Sequence, residues 1–345
     1  MSSDAPLRIG IAGLDHTHVH GLLWNASRRD DLELVGIQEV DAALFEASVE
    51  RFGLEGVPRY ESVEALLVGG EPEAVAAMGS IDRHLAVVEA CAPKGVHVVV
   101  EKPLAVRSSD AVRMAELAAA HGVRVLTNYE TSAYRSLRTA ARMVERGELG
   151  ALRRMVFRHG HKGPIEIGCP PEFVAWLTQP ERGGGALIDF GCYGVLLATW
   201  LQGGAEPLEV VASASTLKPD KYPGVDDDAT IVLRYAEATA VVQASWCWTH
   251  DNKEADLHLE GGSLHAGRGE RLERRLPDQD RERVAIEPDV FCPVDVWGHL
   301  RDVVRGTAEP DPLASLPLNL TVVRVLEEAR AQVAARAATA PSTED

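Results

Sequence analysis

Cysteine is scarce and scattered: Cys91, Cys169, Cys192, Cys247 and Cys292 form no C-x-x-C pair. Such an odd, dispersed set leaves no disulfide framework and reads as reduced, buried thiols in a cytosolic protein. Positive charge is also short, with 35 Lys and Arg against 52 Asp and Glu and a formal net charge of -17. A surface of that sign repels nucleic acid and anionic membranes, so neither is an expected partner. No apolar run reaches the roughly 18 residues of a membrane span. The start, "MSSDAPLRIG", has no basic stretch followed by an apolar one, so no signal peptide is expected. Internal repeats and low-complexity linkers are missing too.

What is present is a globular composition: 345 residues, 46% hydrophobic and 25% charged, enough for two domains with a large core. Short apolar runs at 7–13, 32–40, 73–79, 96–102 and 123–129 read as buried strands. Amphipathic stretches separate them, among them "DAALFEASVERFG", closed by Gly53. Strands alternating with helices predict an α/β fold, a doubly wound parallel sheet of Rossmann type with its site at the strand C-terminal ends. Beyond about residue 128 the rhythm changes. A helix over 137–150 is followed by "LEVVASASTL", "ATIVLRY", "ATAVVQASWCW" and "ADLHLEGG", strands joined by turns. That pattern predicts an α+β domain with an open, mainly antiparallel sheet. The expected division is 1–127, 128–335 and a disordered tail at 336–345.

Glycine is missing where it matters most. "GIAGLDHTH" (10–18) follows the first strand as a dinucleotide-binding turn would, yet only Gly13 of the G-x-G-x-x-G pattern survives. Asp15 stands where backbone should approach a pyrophosphate. A carboxylate about 5 Å from a phosphate charge costs on the order of 3 kcal/mol at an effective dielectric near 20. Capping of the following helix by Asp15 would turn that charge away, leaving His16 and Thr17 to face the phosphates. Glu39, about 20 residues on at the end of the second strand, suits a ribose hydroxyl and would repel a 2′-phosphate, which favours NAD over NADP. A metal held by His16, His18 and His20 is disfavoured, because no acid or cysteine cluster lies beside them in sequence. "VDDDAT" reads as a turn rather than a metal site.

Two further stretches carry chemistry. "VVVEKPLAV" puts Glu101, Lys102 and Pro103 at the end of a buried strand, where desolvation would bring a lysine toward a useful acid–base range. In "GGGALIDFGCYGVLLATWL", Asp189 and Tyr193 are spaced i, i+4 and so share one face of the expected helix. "HGHKGPIEIG" offers His161, Lys162 and Glu166 on a loop expected near Trp176, a polar and aromatic mixture suited to a sugar or cyclitol. Trp246 and Trp248 read as sheet packing or a subunit interface.

Taken together, the N-terminal strand and turn, His84 ahead of "AVVEACAPKGVHVVVEKP", and "GGGALIDFG" give a resemblance. The chain resembles, over about 7–330, the glucose–fructose oxidoreductase / inositol dehydrogenase / rhizopine-catabolism (Gfo/Idh/MocA) family of NAD(P)-dependent dehydrogenases. The resemblance implies a Rossmann domain, a C-terminal mixed sheet, a site between them and a homodimer or homotetramer built on that sheet. Lys102, Asp189 and Tyr193 become the expected catalytic residues, with Tyr193 where many members carry histidine. Asp189 would hold substrate hydroxyls. Tyr193 or Lys102 would take the hydroxyl proton, the lysine lowering the tyrosine pKa toward phenolate. Expected cofactor contacts are Gly13, Asp15, His16, Thr17, Glu39, Gly79, Ser80, His84, Glu101 and Lys102. Asn128, His161, Lys162, Glu166 and Trp176 are the expected substrate contacts. The reading is a cytoplasmic NAD-linked dehydrogenase or reductase of a sugar, polyol or cyclitol, with no metal. The alternatives are an inactive ligand-binding relative, or an enzyme using tightly bound NAD as an internal redox relay.

Overall fold

The computed structural model describes residues 5–290 and 296–339. Valine, leucine, isoleucine and alanine dominate a first set of strands. These are β1 (Leu7–Ala12), β2 (Leu32–Gln38), β3 (Arg59–Tyr60), β4 (Ala74–Ala77), β5 (His97–Glu101) and β6 (Val125–Asn128). Of these, β4 and most of β1 and β5 are buried on both faces. Between them run α1 (Val19–Ala26), α2 (Ala42–Phe52), α3 (Val63–Gly69), α4 (His84–Cys91) and α5 (Ser108–His121). Every pairing is parallel, in the order β3-β2-β1-β4-β5-β6. The order reverses between β1 and β4, which opens a crevice at their C-terminal ends. The pair β3–α3 was not expected from sequence: a two-residue edge strand shows no periodicity to read.

After α6 (Arg135–Glu145), β7 (Leu152–Gly160) opens a second sheet. Next come α7 (Pro171–Leu177), α8 (Ala186–Asp189) and α9 (Gly191–Leu201). The sheet then continues with β8 (Glu209–Ser215), β9 (Asp228–Arg234), β10 (Thr239–Ser245), β11 (Asn252–Leu259), β12 (Gly262–Ala266), β13 (Leu272–Arg275) and β14 (Glu282–Arg283). Its order is β14-β13-β12-β11-β7-β10-β9-β8, antiparallel except for β7 beside β10. The alternating burial of β9 and β10 points Ile231, Leu233, Ala240 and Val242 into the core under α9. The opposite face carries Val211, Val232, Val241 and Val156 as direct partners across four strands.

The chain then returns to the first sheet. Trp297 and Leu300 of α10 (Val296–Val304) pack with Leu7, Val19 and Leu23. In α11 (Leu316–Thr339), Val323 joins the core of the parallel sheet while Val322, Val325 and Leu326 join that of the second. The helix continues to Thr339, into the expected tail; residues 340–345 lie outside the described residues, as does Cys292. The other four cysteines are free thiols. Among the described residues no single helix is long and apolar enough to cross a membrane.

Candidate active site

The turn after β1 needs Gly13: its φ is 86°, and a Cβ there would lie 2.9 Å from the backbone of Gly79. Glu39 braces the same turn, accepting from Leu14 N–H through Oε2 and from Asp41 N–H through Oε1, both at 3.0 Å. Asp15 does not cap the helix. His18 occupies the N-cap of α1 and makes no side-chain cap bond. The Asp15 Oδ1 atom is buried without a hydrogen-bond partner, and Oδ2 lies 4.0 Å from Arg182 Nη2. Burial raises this carboxyl to about 6, against the pull of Arg83 and Arg182.

Nor does His16 turn outward. Its ring lies 4.9 Å from Phe173 and 5.7 Å from Trp176, and burial pushes its pKa well below the usual range, so it carries no charge to offset Asp15. Trp176, expected beside the sugar loop, instead donates from Nε1 to the Asp15 carbonyl at 3.2 Å. Thr17 is half-buried in the turn. Beyond β4, Gly79 lies close to Asp15 Oδ1, and the Ser80 hydroxyl accepts from Arg182 at 2.6 Å. His84 opens α4 and bonds the Leu104 carbonyl through Nδ1 at 3.1 Å, bracing the segment after Pro103; its Nε2 has no partner.

At the end of β5, Glu101 is fully buried and accepts from His18 Nδ1 at 2.9 Å and Asn128 Nδ2 at 2.5 Å. Burial opposes its charge, but His18 and the hydrogen bonds from His18 and Asn128 hold it well below the usual carboxylate range. His16, His18 and Glu101 thus gather as no sequence neighbour suggested, close enough for one ion. His20 is elsewhere, against Phe52. His16 Nδ1 accepts the His18 N–H at 3.1 Å, which places the ring proton on Nε2, the nitrogen facing Glu101. That nitrogen lies 4.0 Å from Glu101 Oε2 and has no hydrogen-bond partner, so the bonds that tie the cluster together run from His18 to Glu101 and from the His18 N–H to His16.

Lys102 is the centre of the site. Its Nζ donates to Asp189 Oδ1 at 2.5 Å and to the Asp189 carbonyl at 3.0 Å, and lies 5.1 Å from the centre of the Tyr193 ring. Burial alone would depress this lysine, as expected from sequence, but Asp189 more than offsets it and the pKa is raised. Burial disfavours the Asp189 charge as well, yet Lys102 holds that carboxyl at about 2. Asp189 Oδ2 accepts from Trp246 Nε1 at 2.9 Å, so both oxygens are engaged within the protein. The expected single helix is broken at Phe190: Asp189 ends α8 and Tyr193 lies in α9, both still flanking Lys102.

Tyr193 is not a phenolate. Its ring lies between Lys102 and Lys253, the latter 5.0 Å from its centre, but each ammonium is neutralised by its own acid, Asp189 and Glu130. Burial therefore prevails and raises the phenol well above 10. Around it lie residues absent from the expected set. Tyr129 meets the Tyr193 ring edge-on at 5.7 Å, with its own hydroxyl unpartnered. His159 is 5.6 Å from the same ring and is held neutral, at about 3, by burial and Lys253. His161 is also neutral, with its ring against Phe190 and its Nδ1 accepting from Gly163 N–H. Lys162 is exposed. Glu166 is bound to Lys218, Lys221 and Tyr222, so it secures its loop instead of facing Asp189. Trp246 is core packing as expected, 4.9 Å from Tyr222, and a site residue as well.

The sequence matches an oxidoreductase family with an NAD-binding Rossmann fold over residues 7–129 and the GFO/IDH/MocA C-terminal domain over 137–265. The chain belongs to the GFO/IDH/MocA oxidoreductases. It is 28% identical to the dTDP-3,4-didehydro-2,6-dideoxy-alpha-D-glucose 3-reductase of Streptomyces violaceoruber, over 66% of this chain and 62% of that protein. It is likewise 28% identical to the myo-inositol 2-dehydrogenase of Thermotoga maritima, over 66% and 65%. The matched segment therefore spans just under two thirds of each relative. An inositol dehydrogenase homologue from Azotobacter vinelandii, solved with NAD+, shares the fold at a TM-score of 0.81 and 18% identity, covering 97% of this chain and 98% of that one. The crevice between β1 and β4 fits the dinucleotide of this GFO/IDH/MocA fold. Its floor is the Gly13–Gly79 contact, with the orphaned Asp15 Oδ1 beside Gly79.

Proposed function

We propose that this protein is a nicotinamide-dependent dehydrogenase or reductase acting on a carbinol carbon of a sugar, polyol or cyclitol. The observation that carries the reading is the Lys102 ammonium, buried at the sheet edge, locked to Asp189 and set against a neutral Tyr193. Nicotinamide supplies or accepts the hydride when bound. Gly13, Thr17, Gly79 and Ser80 would border the dinucleotide, and Glu39 at the end of β2 favours NAD over a 2′-phosphorylated cofactor. Lys102 and Tyr193 both present donors, so they would stabilise the oxygen that becomes alkoxide and return its proton. Asp189 and Trp246 hold Lys102 in place. His159, His161, Tyr129 and Lys253 would border the substrate, with Asn128 acting through Glu101. The names of the relatives, a sugar reductase and an inositol dehydrogenase, support this substrate class. The same reading places the protein in the cytoplasm, as its free thiols suit.

The test is nicotinamide absorbance with a panel of inositols, aldoses and nucleotide-linked ketosugars, for the native chain and Lys102→Met. Lys102→Met should lose turnover by about a hundred- to a thousandfold while NAD affinity stays within a few-fold. Undiminished turnover in that variant would remove Lys102 from the mechanism.

A further inference from the structure

The turn after β1 presents the crevice with a carboxylate that has no ordinary purpose. Asp15 caps no helix, and Oδ1 is buried without a partner. The charged groups around it come from three other elements. Arg83 approaches from the segment after β4, next to Gly79. Arg182 comes from the turn after α7, with Nη2 4.0 Å from Asp15 Oδ2 and shared with Ser80, and Nε 3.4 Å from Asp82. Glu39, at the end of β2, adds a second negative charge. From α7 the neutral Trp176 bonds this residue, through the Asp15 carbonyl, and the adjacent His16 is neutral. Two guanidinium groups therefore face three carboxylates, Asp15, Asp82 and Glu39, before any phosphate arrives. A pyrophosphate brings further negative charge into the same crevice and competes with Asp15 for Arg83 and Arg182.

Resting on the reading of this crevice as an NAD site, we propose that Asp15 takes up one proton from solvent as the dinucleotide binds. Its carboxylate becomes a carboxyl whose O–H donates to a pyrophosphate oxygen, while Arg83 and Arg182 supply the counter-charge. A residue that looks like a defect in the glycine pattern is thus a donor in the loaded state. The free carboxyl is already raised to about 6 by burial, and the phosphate charge beside it must carry it to about 9 for the uptake to be nearly complete at pH 7.5. The chemistry requires only a proton, with no change of oxidation state.

The experiment is calorimetric titration of the full chain with NAD at pH 7.5 in three buffers of different ionisation enthalpy, followed by Kd measurements from pH 6 to 8.5. Close to one proton should enter per NAD, and Kd should rise about tenfold between pH 7 and 8. Asp15→Asn and Asp15→Gly should take up no proton, show a nearly flat pH dependence, and bind NAD more tightly than the native chain at pH 8. NAD binding by the native chain without proton uptake overturns the proposal and leaves the cofactor reading intact. Uptake that persists in both variants also overturns it, since the proton then goes elsewhere. No NAD binding at any pH, by any of the three proteins, overturns the cofactor reading itself.

Discussion

Buried carboxylates in this protein behave according to their partners. Asp189, beside Lys102, is held at about 2, whereas Asp226 is raised from 3.8 to about 6 by burial, helped against only by backbone N–H groups and the charge of Arg330. Asp226 Oδ2 accepts the Leu187 N–H at 2.6 Å at the start of α8, so it positions the helix that ends in Asp189. Its raised value has a definite sign. Between about pH 4 and pH 6 the folded chain holds this proton more tightly than the unfolded one, so stability falls as pH rises through that window. Asp226→Asn keeps an acceptor for Leu187 and removes the titration. Its melting temperature should exceed that of the native chain at pH 8 and match or fall below it at pH 4.5. An equal difference at both pH values would show that Asp226 does not titrate in this way.

At the scale of elements, the joint from β1 through its turn to α1 combines a backbone constraint with the cofactor crevice. Gly13 lies at positive φ, and any side chain would press on Gly79 at 2.9 Å. Gly13→Ala should therefore lose on the order of 1–3 kcal/mol of stability, read by urea unfolding, and at least tenfold in NAD affinity. Gly53 also has positive φ, at 66°, but a Cβ there meets nothing within 4 Å. Gly53→Ala should consequently leave NAD affinity unchanged, and equal losses of affinity in the two variants would detach Gly13 from the crevice. The break between α8 and α9 is another event at this scale. It lets Asp189 and Tyr193 flank Lys102 from two helices.

At the scale of the whole molecule, α11 touches both hydrophobic cores and α10 closes the far side of the parallel sheet. A boundary drawn after residue 127 leaves out these late helices, because their apolar stripes are indistinguishable by sequence from stripes that would serve the second sheet. Outward on that sheet, Val211, Val232, Val241 and Val156 form one row across β8, β9, β10 and β7. We propose that this face joins copies of the chain, as an apolar row amid polar neighbours is costly to leave wet. Val241→Lys with Val232→Lys should then lower the molar mass in sedimentation without changing the melting profile of the protomer. A native chain that sediments as a protomer would remove the proposal.

By itself the sequence determined what depends on near neighbours. Period and run length carried the parallel sheet, the later antiparallel one and the strand-end placement of Glu101 and Lys102. Positive φ at Gly13 and Gly53 is likewise a local demand. Only the tertiary structure decided the charges and pairings. Asp15 lost its cap because α1 begins three residues later than supposed. His16 turned under Phe173 and Trp176, 157 and 160 positions away. Lys102 kept its proton because Asp189 came within 2.5 Å, and Tyr193 kept its own because the fold buries it beside the negative charges of Glu130 and Asp189. Secondary structure follows from local sterics and apolar spacing. A pKa instead depends on burial and on charges brought close by the fold, and neither is written in the spacing of residues along the chain.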